Sequence, residues 1–248
     1  MDPKPTSPIG LPGALIISAA IVAIAIIYTH KPTVITQQVP TTTQAAAVGM
    51  ADVNGSDHIL GNPDAPIKIV EYSDTSCPYC KVFYPIMQQV MNTYGPTGKV
   101  AWIYRSFPLD KPDADGNVLH PNSGHEAQAL ECAASIGGND AFWKFTNRLY
   151  DITPSVTGTS PNGLDQKQLP VIAKYAGLDP VSFNDCLSSG QFKDKVEKEY
   201  LDGINAGVSG TPYSVLITTS GTRIPLAGAE TYETMKTAID ALLNAPTQ

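Results

Sequence analysis

Cys77-Pro78-Tyr79-Cys80 puts two thiols two residues apart at the head of an apolar helical pattern, in a chain with four cysteines. Three chemistries use such a pair. A structural zinc site needs four ligands, usually in two close pairs. Cys132 and Cys186 are far apart, and no histidine pair sits at ligand spacing. A purely structural Cys77–Cys80 disulfide would close too small a loop to remove much entropy from the unfolded chain. A redox centre needs a nucleophilic thiolate, which the free N–H groups and positive dipole end of a helix start provide. It also needs a second thiol about one turn away to resolve a mixed disulfide. A third need is an extended edge for a substrate chain, for which the strand start at Gly210-Thr211-Pro212-Tyr213, with its non-donating proline, is suited.

The elements that must position these residues follow from the pattern. Ile67, Ile69 and Val70 mark a strand in "APIKIVEYSD", after which Asp74, Thr75 and Ser76 supply capping side chains and Pro78 suits a first helical turn. Val82, Ile86, Met87, Val90 and Met91 keep helical spacing up to Gly95, and Pro85 predicts a kink. "KVAWIYRSF" is a second strand, so the crossover predicts a parallel pair. Residues from about 121 to 207 carry helical punctuation. "TPYSVLITTSGTRIPLAG" predicts a hairpin turning near Ser220-Gly221, and Thr231 caps a last helix.

This arrangement resembles the thioredoxin superfamily, specifically the DsbA-like thiol:disulfide oxidoreductases with a helical block inserted into the thioredoxin fold. The resemblance runs from about His58 to Leu243 and rests on "GNPDAPIKIVEYSDTSCPYC", "FNDCLSSG" and "GVSGTPYSVLI" in that order. It implies an α/β fold, a mixed central sheet flanked by helices with an all-α block at about 121–207. It implies that Cys77 attacks and links to substrate while Cys80 resolves. Pro212 matches the family's cis-proline, Thr211 offers backbone contacts to substrate, and Glu71 matches a buried carboxylate that moves the proton of the resolving thiol. Pro78 and Tyr79 are the dipeptide that tunes redox poise; Pro-Tyr also occurs in glutaredoxins and isomerase-like relatives. For Cys132 and Cys186 two readings stand: two buried free thiols, or a disulfide tying two helices, which some relatives carry.

Composition bounds the rest. With 42% hydrophobic and 16% charged residues and a net charge of -7, the chain suits one globular domain and has no basic face for nucleic acid. Ile9 to Thr29 carries no charged residue. At about 1.5 Å per residue, a helix of that length crosses roughly 30 Å, the thickness of a bilayer's hydrocarbon. The expected organisation is a cytoplasmic N-terminus over 1–8, a transmembrane anchor over 9–29, a flexible linker over 30–57 and the DsbA-like domain over 58–248. Disulfide donation excludes the reducing cytosol, so the catalytic domain is expected on the periplasmic or extracellular side. The expected partners are reduced exported polypeptides, a quinone-linked or similar membrane thiol oxidase and the bilayer. We expect a monomer without cofactor, because isomerases of the superfamily add an N-terminal dimerisation domain. A reductase or isomerase of the same fold, or a non-catalytic chaperone module, is the alternative. "KPDADGN" imitates a calcium loop but lacks its terminal glutamate, and reads as a surface turn; His120 and His125 read as loop and helix-start residues.

Overall fold

Two strands with buried side chains on both faces, Ile67–Ser73 (β2) and Val100–Ser106 (β3), form the centre of the molecule. The computed structural model describes residues 46–154 and 163–245. Five strands pair in the order β1-β3-β2-β4-β5, where β1 is His58–Gly61, β4 is Tyr213–Thr218 and β5 is Arg223–Ala227. β2 and β3 run parallel, joined by helix α1 (Pro78–Tyr94), and every other pair is antiparallel. This is the mixed sheet of a thioredoxin-like fold. β1 escapes sequence reading because its four residues, HILG, are too few to show a period.

The period of two along the strands separates two cores. Ile67, Ile69, Trp102, Tyr104 and Leu216 face α1 and α6 (Tyr232–Leu243). Val70, Tyr72, Ala101, Ile103 and Val215 face the other way, towards Phe107, Ala206 and the segment that precedes β1. Glu71 has the parity of Ile67 and Ile69, so its carboxyl group is forced beneath α1.

Between β3 and β4 lies the helical block: α2 (Ser123–Ile152), α3 (Leu169–Tyr175), α4 (Pro180–Ser189) and α5 (Lys193–Asn205). Gly138, at φ 73° and ψ -169°, breaks α2 into two arms, a conformation that glycine adopts without steric cost. A disulfide links Cys132 on the first arm to Cys186 on α4, with Cα atoms 5.9 Å apart.

Two expectations need correction. The expected linker over 30–57 overlaps ordered structure, because Ala47 and Met50 are buried in the second core. Arg223 also donates to Met50 O, and Arg105 to Ala51 O and Asp52 O. Pro85 lies inside α1, which runs from Pro78 to Tyr94. Asp74, Thr75 and Ser76 do not cap α1; Cys77 occupies the cap position itself. The expected anchor over 9–29 lies outside the described residues, and among the described residues no helix is long and apolar enough to cross a membrane.

Arg105 joins the N-terminal segment to α5. Buried to 3% exposure, it pairs with Asp57 at 2.8 Å and Asp202 at 2.7 Å, and Asp202 also accepts from the Tyr72 hydroxyl at 2.5 Å. Removing one member of such a buried network strands the opposite charges. Arg105→Met is therefore expected to cost about 3–5 kcal/mol in urea unfolding; a cost under about 1 kcal/mol would mean that the segment is not held through this residue.

Candidate active site

β2 ends at Ser73, and the turn Asp74-Thr75-Ser76 delivers the chain to Cys77, the N-cap of α1, with Pro78 at the first helical position. The proline has no N–H to leave unsatisfied and sets φ for the helix. The next two N–H groups, of Tyr79 and Cys80, face the Cys77 sulfur. At an ordinary helix start a Ser, Thr, Asp or Asn oxygen would accept there. Here the side chain at the cap is a thiol, which makes no capping hydrogen bond but would accept best as a thiolate.

The two thiols are free and differ sharply in environment. The Cys80 thiol donating to the Cys77 sulfur, against the cost of burial and together with Thr211 and the N–H groups of Cys80 and Tyr79, lowers the Cys77 pKa to about 6. The same forces act oppositely on Cys80. Burial, the negative charge on Cys77 and the Glu71 carboxylate hold its thiol well above the usual range. Of the two, Cys77 is the thiol that ionises more readily, and its surroundings favour the protonated form of Cys80.

Across from the sulfurs stands the loop before β4. The Thr211–Pro212 peptide bond is cis. The Cys77 thiol donates to Thr211 O at 3.4 Å, while Pro212 O accepts from Gly228 N at 2.9 Å. Tyr79 is 67% exposed and Val82 60%, which leaves an apolar surface beside the sulfur.

Glu71 is fully buried beneath Cys80, between its register partners Tyr104 on β3 and Ser214 on β4. Burial raises its pKa to about 7, against bonds from Ser73 and Trp102, whose Nε1 donates to Oε2 at 2.9 Å. Among the described residues Oε1 has no hydrogen-bond partner, nor has the Ser214 hydroxyl. A buried carboxyl that titrates near neutrality, next to a thiol that must gain and lose a proton, has the chemistry of a proton store. Around it lies a hydroxyl chain that sequence reading missed. The Ser73 hydroxyl and the Tyr104 hydroxyl each stand 3.0 Å from that of Tyr150, which comes from α2. Only the folded block brings Tyr150 here, so no local motif announces it.

The structure thus brings Glu71, Cys77, Pro78, Tyr79, Cys80, Thr211 and Pro212 together. Cys132 and Cys186 form their own disulfide apart from them. In "KPDADGN", the Asp113 carboxylate is used by the N–H groups of Asp115 and Asn117. Among the described residues no cluster of His, Cys, Asp or Glu could hold a metal.

The sequence profile of the family described as Thioredoxin matches residues 53–241. The chain belongs to the thioredoxin family. Within it, the chain is similar to BdbD from Bacillus subtilis in its oxidised form, at 22% identity over 79% of this chain and 97% of that chain, with a TM-score of 0.65. It is also similar to alpha-DsbA1 of Wolbachia pipientis, at 21% identity over 80% and 95% of the two chains, with a TM-score of 0.64. The fold is accordingly the DsbA-like variant of the thioredoxin architecture. A stretch of 128 residues, 52% of this chain, is 34% identical to the Na(+)/H(+) antiporter NhaA 1 of Mycolicibacterium gilvum. It spans 18% of that protein's length.

The asymmetry of this thioredoxin-family pair has a direct readout. In the reduced protein, iodoacetamide is expected to label Cys77 with a half-maximal rate near pH 6 and to leave Cys80 unlabelled up to pH 8. Equal labelling of the two, or a midpoint above pH 8, would contradict stabilisation of the thiolate by the helix start.

Proposed function

We propose that the protein is a thiol:disulfide oxidoreductase that donates the Cys77–Cys80 disulfide to exported polypeptides. The observation that carries the reading is the split between the two thiols, with the thiolate favoured at the less deeply buried sulfur. A substrate thiolate attacks the sulfur of Cys77 in the disulfide form; the S–S bond breaks and Cys80 leaves as a thiolate. Cys80 then takes a proton, for which Glu71 is the adjacent source. A second substrate thiolate attacks the substrate sulfur of the mixed disulfide, forming the substrate disulfide and releasing Cys77. Two electrons have passed from substrate to the pair. Cys77 is a good leaving group because its thiolate is stabilised, which makes release fast and favours the reduced form.

Thr211 and Pro212 supply the backbone edge against which the substrate chain lies, and Pro78 and Tyr79 set the exposure and polarity beside the sulfur. Cys132 and Cys186 hold the helical block without taking part in turnover. The charge-free segment 9–29 anchors the domain on the extracytoplasmic side. A quinone-linked or similar membrane thiol oxidase accepts the two electrons and restores the disulfide, since a donor that stays reduced stops after one turnover. Reduction or isomerisation by the same pair is the competing direction.

The test gives the purified protein, in its disulfide form, a reduced dithiol peptide and, in its dithiol form at equal concentration, a scrambled disulfide protein. Peptide oxidation is expected to be at least tenfold faster, and Cys80→Ala given the scrambled substrate is expected to accumulate a mixed disulfide, since Cys77 attacks a substrate S–S bond and no second thiol resolves it. Efficient rescue of the scrambled substrate with slow peptide oxidation would replace the oxidase reading with an isomerase one; no exchange with either would remove the enzyme reading.

A further inference from the structure

One imidazole and three carboxylates surround the turn that carries Cys77, and disulfide exchange by the pair gives them no task. Asp74 is the hub. Its N–H donates to the Cys80 sulfur at 3.4 Å, and its C=O accepts from Cys77 N at 3.0 Å. Its Oδ1 accepts from Ser76 N at 2.7 Å and its Oδ2 from Leu109 N at 2.8 Å. His120, on the loop between β3 and α2, stands with Nδ1 2.9 Å from the same Oδ2 and is 9% exposed. Because the acceptor is a carboxylate, Nδ1 carries a proton in either charge state.

The remaining groups close the ring. Glu126, fully buried at the start of α2, accepts from the Thr75 hydroxyl at 2.6 Å, from the Ser76 hydroxyl at 3.0 Å and from Gln166 Nε2 at 2.8 Å. The Asp110 carboxylate lies against Gly124, where a Cβ would come within 1.9 Å of it. The titratable groups around His120 are therefore Asp74 from the turn after β2, Cys77 from α1, Glu126 from α2 and Asp110 from its own loop. His120 alone among them can carry positive charge. Lys111, the next cation along the loop, is paired with Glu197.

A carboxylate three residues before Cys77, on the residue whose C=O accepts from the Cys77 N–H, opposes the thiolate unless its charge is cancelled. We propose that His120 is a positioning residue for the exchange: bound to Asp74, its imidazolium cancels that carboxylate and keeps the Cys77 thiolate in its reactive form. The proposal rests on the reading of Cys77 as the exchanging thiol. Burial works against charging the imidazole, but the bond to Asp74 and the negative charges of Asp74, Cys77 and Glu126 outweigh it and raise the His120 pKa above 6.5. Linkage is reciprocal, so an imidazolium favoured by the thiolate favours the thiolate in return. The sign follows. For a raised histidine the interaction is complete below its unfolded pKa and is lost as pH rises through the folded one. The pair then releases substrate best from neutral to mildly acid pH.

The test follows the ultraviolet absorbance of the thiolate in the reduced full-length protein, in H120N and in D74N/H120N. Asparagine keeps an N–H for Asp74 but no charge. H120N is expected to raise the Cys77 midpoint by about 0.5–1 pH unit. It is expected to shift the glutathione equilibrium about three- to tenfold towards the disulfide form, roughly 15–30 mV less oxidising. The double variant removes both charges and is expected to return to within about 0.3 unit of wild type. An unchanged midpoint in H120N overturns the proposal. A double variant shifted as far as the single one also overturns it, because His120 would then be a structural prop. If H120N does not fold, H120Q is read by the same criteria. Peptide oxidation by the wild-type protein is measured alongside. Its failure with a shifted midpoint would sink the oxidase reading and leave the His120–Asp74 control of Cys77 standing.

Discussion

The N–H groups at the start of α1 have no partner within the helix, and the side chain placed to accept from them is a thiol. That single constraint organises the site. A thiol accepts poorly and a thiolate well, so the helix start favours the ionised form of one sulfur of the pair against the cost of its burial. Pro78 fits because the first position needs no donor. Cys80, one turn inside, is left with the opposite problem: it lies under the helix, over Glu71, where a second negative charge has no compensation. Two chemically identical side chains acquire opposite acidities through three residues of helix geometry.

The inserted helices act on the same turn from both ends of α2. At its N-terminal end Glu126 accepts from Thr75 and Ser76; at its C-terminal end Lys81 of α1 donates to Tyr150 O at 2.6 Å and to Thr153 O. A lysine is well placed there, since the last carbonyls of a helix lack partners and carry its negative dipole end. The Cys132–Cys186 disulfide fixes the first arm of α2 to α4, away from the exchanging thiols. The block thus contributes side chains to the active-site turn as well as covering the sheet.

What the sequence showed and what it hid follow from range. The C-x-x-C pair, the strand before it, the crossover to β3, the hairpin and the Thr231 cap are local patterns with a clear period or punctuation, and they were legible. The burial of Glu71 is legible only through the family resemblance, since its parity gives the face but not that a carboxylate on that face is buried. β1 was too short to show a period. The polar segment from Ala46 to Asp57 read as tether because its anchors, Arg105 and Arg223, lie far away in sequence. His120, Glu126 and Tyr150 read as a loop residue or unremarked helix positions because their partners come from β2 and the turn after it. Asp74 was expected as a helix cap; the structure uses it instead to hold the turn and His120, since the cap position belongs to Cys77.

The central claim is that folding stabilises the Cys77 thiolate. The most direct test is the unfolding free energy of the reduced protein minus that of the same protein with the Cys77–Cys80 disulfide formed, measured from pH 5 to pH 9. Groups that the disulfide leaves undisturbed cancel in this difference. A depressed pKa contributes stability that is complete above the unfolded value, about 8.5, and is lost as pH falls through the folded value of about 6. The difference is predicted to grow in favour of the reduced form between those limits, by about 3–4 kcal/mol in all. A difference that stays flat across this range, or that moves towards the disulfide form as pH rises, would contradict that claim.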